Sequence, residues 1–210
     1  MHTASLSSPL AALLRLAERL SRYAVWAGGA LTIASVVLIG VDVVARKLFS
    51  VTAGGADELS SYAFAISTSW ALAFATLSRA HVRVDVVYQY LPVRVAAIVD
   101  WLALVGLGVF MVCLTWYAYD VVAMSWLQDS TANSTLATPL WIPQGLWLAG
   151  LLWMCVVLLL MLLRASFALV TGDLAAVQAL CGVRSNVEEA EEEAAAGQRL
   201  VASEQAPSGR

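Results

Sequence analysis

Residues 144–164 read QGLWLAGLLWMCVVLLLMLLR, twenty consecutive residues without a charge and then an arginine. A helix needs about 20 apolar residues to cross a hydrocarbon core of about 30 Å. The same pattern recurs toward the N-terminus. Residues 101–119 are uncharged between Asp100 and Asp120, and 59–78 are uncharged between Glu58 and Arg79. Residues 23–45, between Arg22 and Arg46, carry Asp42 as their one charge. These stretches predict four spans, at about 23–45, 59–78, 98–120 and 144–163.

Composition agrees. Apolar residues make up 60% of the 210 and charged residues 13%, against about a quarter charged in ordinary soluble domains. A soluble chain of this size cannot hide that much apolar surface. No alternation of polar and apolar residues competes with the helical reading, which excludes a barrel. The expected fold is an all-α integral membrane protein with four transmembrane helices and short amphipathic interfacial helices. It divides into a cytoplasmic N-terminal helix (1–22), a four-span domain (23–164) and a cytoplasmic tail (165–210) that is partly disordered.

Lysine and arginine orient it. Arg15, Arg19 and Arg22 precede the first span. Arg79, Arg83 and Arg94 follow the second, and Arg164, Arg184, Arg199 and Arg210 follow the fourth. Only Arg46 and Lys47 lie on the other side. Ten against two places both termini in the cytoplasm by the positive-inside rule. The first apolar stretch is too long for a signal-peptide core and reads as an anchor. The net charge of −3 comes from the acidic tail, and nothing in the chain points to nucleic acid. Cys113, Cys155 and Cys181 match no metal or redox spacing and read as small apolar filler.

Along the chain, Ser8 and Pro9 suit the start of an amphipathic helix. Leu10, Leu13, Leu14, Ala17 and Leu20 lie on one side of it, opposite the three arginines. The first span is rich in small residues (Gly28, Gly29, Ala30, Ala34, Gly40), which let helices approach closely in lipid. Asp42 stands four residues before Arg46, so one helical face holds both. The second span carries Ser60, Ser61, Ser67, Thr68, Ser69 and Thr76. Lipid gains nothing from hydroxyls, so this helix is expected to face protein. In the next connection Val84, Val87, Tyr88 and Leu91 define an apolar face closed by Pro92, which predicts an interfacial helix over 79–94. Trp116, Tyr117, Tyr119 and Trp126 form an aromatic belt. A small, polar loop over 128–138 then leads to Pro139, Trp141, Pro143 and Trp147. Residues 165–182 read as one more surface helix, followed by the acidic, alanine-rich run Glu188–Ala196.

The chemistry of buried sites is missing from this pattern. The two histidines, His2 and His81, lie outside every span, so haem ligation of the cytochrome b type is excluded. No span pairs a nucleophilic serine with a base. No phosphate-binding glycine loop or metal-ligand spacing occurs, and no glycine or proline breaks a span at mid-membrane as in ion-coupled transporters. The chain is expected to be no enzyme, with no catalytic, substrate, cofactor or metal site.

The order of polar residues at the rims is distinctive. Arg46 follows the first span and Glu58 opens the second. Arg79-Ala-His81-Val-Arg-Val-Asp85 comes next, with Pro92 shortly after, and Thr138-Pro139-Leu-Trp141-Ile-Pro143 precedes the last span. From Tyr23 to Arg164 this arrangement resembles the small membrane subunit, of DctQ type, of tripartite ATP-independent periplasmic (TRAP) transporters. The resemblance implies a scaffold in the bacterial inner membrane, packed against a large permease subunit. That partner carries the substrate and sodium sites, and a periplasmic binding protein supplies it with an organic-acid-like solute. Asp42, Arg46, Glu58, Arg79, His81, Asp85, Pro139, Trp141 and Pro143 are the candidate contact residues, with membrane lipids as the other neighbour. The long acidic tail departs from the family's compact pattern. Two further readings stand beside this one: a self-sufficient small homo-oligomeric transporter or channel, and a membrane anchor of an enzyme complex.

Overall fold

The computed structural model describes residues 3–51, 54–79, 91–134 and 136–173, together with Val177, Leu180, Ala194, Gly197 and Gln198; side chains are described from residue 10. It has four long helices: α1 (Thr3–Phe49), α2 (Ala56–Leu77), α3 (Val93–Leu127) and α4 (Trp141–Thr171). Among the described residues three segments are long and apolar enough to cross a membrane: Leu10–Phe49, Val93–Leu127 and Trp141–Thr171. The remaining helix, α2, has 22 residues, which is enough length at about 1.5 Å per residue, but its hydroxyls and first-turn acids leave it without a span-length stretch as apolar as those of the other three.

The helix ends follow local rules. Ser50, Gly54 and Gly55 all take positive φ, turning the chain between α1 and α2. Asp57 and Glu58 occupy the first turn of α2, where the helix dipole favours acidic groups. Pro92, extended at φ −64° and ψ 144°, stands directly before α3. Pro143 falls in the first turn of α4, where its missing N–H costs no internal hydrogen bond. Gly172, at φ +74°, closes α4 with paired backbone bonds: Gly172 N to Leu169 O at 3.2 Å and Asp173 N to Ala168 O at 3.0 Å. This is the glycine stop of a Schellman motif.

Two expected boundaries differ. The N-terminal helix is not separate: α1 runs unbroken through residue 22. No glycine or proline interrupts residues 10–27, Arg22 pairs with Glu18 one turn back at 3.0 Å, and one inward stripe continues across the junction. Residues 165–171, expected to start a surface helix, extend α4 until Gly172 stops it. The interfacial helix expected over 79–94 falls largely outside the described residues.

The bundle is ordered α1, α2, α4, α3, with α1 also touching α4. The core runs along α4, where Leu151, Met154, Val157 and Leu158 are almost fully buried. The seams facing it consist mainly of small and polar residues. On α1 the inward positions are Leu14, Ala17, Ser21, Gly28 and Asp42; on α3 they include Ala97, Asp100, Leu104, Gly108, Met111, Thr115 and Ala118. Large aliphatic and aromatic residues point outward instead, among them Trp26, Ile33, Val36 and Val41 of α1 and Val109, Phe110 and Trp116 of α3. A water-soluble bundle buries those side chains; close approach through small residues with apolar exteriors is the packing of helices in lipid.

Candidate partner-contact sites

The loop between α3 and α4 is built rather than slack. Trp126 and Trp141 meet edge to face across its base, with ring centroids 4.7 Å apart. Above them Thr131 and Pro139 form an isolated antiparallel bridge, supported by Leu140 N to Ser130 O at 3.0 Å and Ala132 N to Thr138 O at 2.9 Å. Proline is tolerated there because its ladder N–H is not needed. The tip then folds onto the start of α2. Leu136 covers Gly55, at φ +89°, so closely that an added Cβ would lie 2.7 Å from Leu136 Cγ.

Glu58 fastens the same contact. Its carboxylate accepts a short hydrogen bond from the Ser134 hydroxyl and one from Tyr62 Oη at 2.7 Å. The Ser134 hydroxyl foremost, then Tyr62 and Thr138, hold the Glu58 carboxyl below its ordinary range against a smaller opposing effect of burial. A depressed carboxylate stabilises the folded contact above its unfolded pKa, and that stabilisation is lost as pH falls through the lower, folded value. Protection of residues 130–138 against hydrogen exchange, taken relative to the intrinsic rate at each pH, is therefore expected to hold from neutral pH down to about 4.5 and to fall below it. Glu58→Gln should flatten this profile.

At the far end of α1, the Arg46 guanidinium pairs with the Asp42 carboxylate one turn earlier. Asp42 is 3% exposed; Arg46 reaches outward. Arg79 follows α2 with φ +55°, its backbone N–H bonded to Thr76 O at 3.1 Å. His81 and Asp85 lie outside the described residues. Pro143 is buried at the start of α4 and Trp141 is partly exposed beside Trp126. The candidates therefore fall into separate places: Glu58 with the loop of Pro139 and Trp141, Asp42 with Arg46, and Arg79 at the opposite end of α2.

In the sequence Asp100 stands out only as the border of an uncharged stretch. It is 2% exposed on the inward stripe of α3, next to Trp101, whose Nε1 donates to Ser166 Oγ of α4 at 2.9 Å. The periodicity Ala97, Asp100, Leu104, Gly108 was the available signal. Also missed were the side-chain bonds that join the helices. Ser67 Oγ donates to Gly28 O at 2.9 Å, Trp153 Nε1 to Ser21 Oγ at 3.0 Å and Trp70 Nε1 to Leu146 O at 3.1 Å. Interhelical bonds of this kind average about 0.6 kcal/mol in membranes. Ser67→Ala is accordingly expected to lower unfolding stability by about that much in micelles, with the bundle intact.

Among the described residues no group of three histidine, cysteine, aspartate or glutamate side chains can hold a metal ion. A groove of about 670 Å³ between α1, α2 and α4 is lined by Tyr23, Gly28, Ile66, Trp70 and Trp153 and is almost wholly apolar.

Over residues 35–168, more than half of the chain, the sequence matches the model of the family described as tripartite ATP-independent periplasmic transporters, DctQ component. The chain belongs to the DctQ family. It is thus a small, membrane-embedded TRAP transporter component. The matched range starts inside α1 and ends three residues before α4 does, so it takes in the Asp42–Arg46 pair, the Glu58 contact and the whole α3–α4 loop. No curated protein and no solved structure gives a match.

Proposed function

We propose that this DctQ chain is a non-catalytic brace for the large permease subunit of a TRAP transporter. The supporting observation is the distribution of polarity: hydrogen-bonding groups close the seams between its own helices, while the outer faces of α1 and α3 stay apolar. A bundle with a sealed interior and wide apolar flanks is suited to enlarge a partner within the bilayer rather than to conduct. All four helices span in this reading, α2 being clasped between α1 and α4 so that Ser60, Ser67, Ser69 and Thr76 are kept from lipid while Leu59 and Phe64 face outward. Both termini lie in the cytoplasm, as the ten-to-two arginine and lysine asymmetry supports, and the membrane is the bacterial inner one. The α3–α4 loop and Glu58 then face the periplasm, where a solute-binding protein delivers an organic-acid-like solute to the large subunit. Sodium coupling belongs to that subunit.

Co-expression tests this. Tagged chain should retrieve the large subunit in a fixed ratio, and liposomes holding the large subunit with its binding protein should take up solute only when this chain is present. Uptake by the chain alone would instead establish the self-sufficient transporter. Arg79→Ala and Asp85→Ala are expected to reduce the yield of the complex; unchanged yield and uptake would remove those two residues from the interface.

A further inference from the structure

At the end of the bundle opposite the α3–α4 loop, a pocket of about 280 Å³ opens between α1, α2 and α4, with Leu180 from beyond α4 also lining it. Leu14 of α1, Leu77 at the last turn of α2 and Met161 of α4 form apolar walls; Arg15, Glu18 and Arg164 bring charge to it. Arg164 follows directly on the uncharged stretch 144–163, and Leu77 is the last residue of α2. The pocket therefore sits where α2 ends and where the uncharged stretch of α4 gives way to its first arginine, at the depth of a lipid headgroup.

The charges are unequal in engagement. Glu18 is held by Arg22 at 3.0 Å. Neither Arg15 nor Arg164 has an ion-pair partner among the described residues, although Arg164 is half-buried. A guanidinium in a partly desolvated pocket is stabilised by a counter-anion, and its fork of N–H donors matches phosphate oxygens. Basic pockets between transmembrane helices at this surface suit acidic phospholipid headgroups.

We propose that Arg15 and Arg164 bind the phosphodiester of an anionic phospholipid of the phosphatidylglycerol type, its acyl chain lying against Leu14, Leu77 and Met161. The apolar walls distinguish a lipid from a free anion. The two unpaired cations distinguish an anionic lipid from a zwitterionic one, because the single carboxylate is already engaged and leaves no seat for a headgroup ammonium. The headgroup hydroxyls of phosphatidylglycerol can donate to Glu18 instead. This site rests on the reading of that end as the cytoplasmic surface of the bilayer.

Native mass spectrometry of the full-length chain tests it, with phosphatidylglycerol, phosphatidylethanolamine or phosphatidylcholine supplied in detergent, and inorganic phosphate as a separate arm. One phosphatidylglycerol should be retained per chain, in preference to the other two lipids. Each arginine removed (R15Q, R164Q) should weaken retention about fivefold, and R15K/R164K should keep most of it. If the double glutamine variant does not purify, each single variant still reads its own share. Equal retention of the three lipids, displacement by inorganic phosphate, or retention unchanged in R15Q and R164Q would overturn the site. So would a severalfold gain in lipid when the five glutamates between 188 and 193 become glutamine, since the acidic tail would then be the occupant. The readout needs neither the large subunit nor uptake, so its failure leaves the brace reading standing, and the reverse holds too.

Discussion

Gly150→Leu is expected to disrupt the bundle, costing about 3 kcal/mol or more of unfolding stability in micelles, at the upper end of what overpacking a close contact costs. Gly150 lies on the face of α4 that meets α2. A Cβ placed there would lie 2.9 Å from Trp70 Cδ1 and 3.0 Å from the Ser69 carbonyl carbon. The second of those atoms is backbone, so no rotamer change relieves it; α2 and α4 must separate. Separation also breaks the bond from Trp70 Nε1 to Leu146 O and the contact of Thr76 Oγ1 with Met154 Sδ at 3.5 Å. Gly106 on α3 is the control, because a Cβ there meets nothing within 4 Å. Replacing a helix-interior glycine in open space with alanine gains about 0.5–1 kcal/mol, so Gly106→Ala should stabilise while Gly150→Ala destabilises by about 2 kcal/mol. Denaturant unfolding in micelles, followed by tryptophan fluorescence, reads both signs. Equal effects at the two glycines would show that α2 and α4 do not pack as described.

Much of this arrangement was legible from residue chemistry alone, and what was not has a common cause. The long uncharged stretches marked the helices because the bilayer demands length and apolarity together. The hydroxyls of the second helix signalled protein neighbours, and Ser60, Ser67, Ser69 and Thr76 are buried, whereas Ser61 and Thr68 are exposed and bond back to Asp57 O and Phe64 O of their own helix. The phase of the small residues was harder to read. Of the small residues singled out in the first span, Gly28 touches α2, while Gly29 and Gly40 have nothing within 4 Å of a built Cβ. Composition counts such residues alike; only helical phase, fixed by the partner, separates them. The break expected at residue 22 failed for a related reason. Charge changes there, but the inward stripe Leu14, Ala17, Ser21, Gly28 does not, and packing rather than polarity decides where a helix continues. Leu136 over Gly55 and Ser134 on Glu58 join residues far apart in the chain, and no local pattern announces such pairs. The rim motifs, by contrast, carried the family assignment without any of this geometry, since their order along the chain is a one-dimensional signal.

The Asp42–Arg46 pair is expected to respond unequally to losing either member. The Asp42 side chain is 4% exposed and that of Arg46 is 59% exposed. Arg46→Ala leaves a carboxylate in a low-dielectric seam without its guanidinium. Removing one partner from a fully buried pair costs about 3–5 kcal/mol. Water reaches the Arg46 side of this pair, so screening lowers the expected loss to about 2 kcal/mol. Asp42→Ala frees an arginine that can swing into solvent or headgroups, and it should cost about 1 kcal/mol or less. Replacing both with leucine (D42L/R46L) removes the desolvation penalty together with the attraction, so the double variant should lie within about 1 kcal/mol of the parent. The non-additivity is the informative quantity, because two independent losses would sum to about 3 kcal/mol. Equal single losses that add in the double variant would show that Asp42 is held mainly by groups other than Arg46. The cycle run with the large subunit present then separates two roles: a pair that only stabilises α1 gives the same asymmetry with and without the partner, whereas a pair that receives the partner loses complex in all three variants.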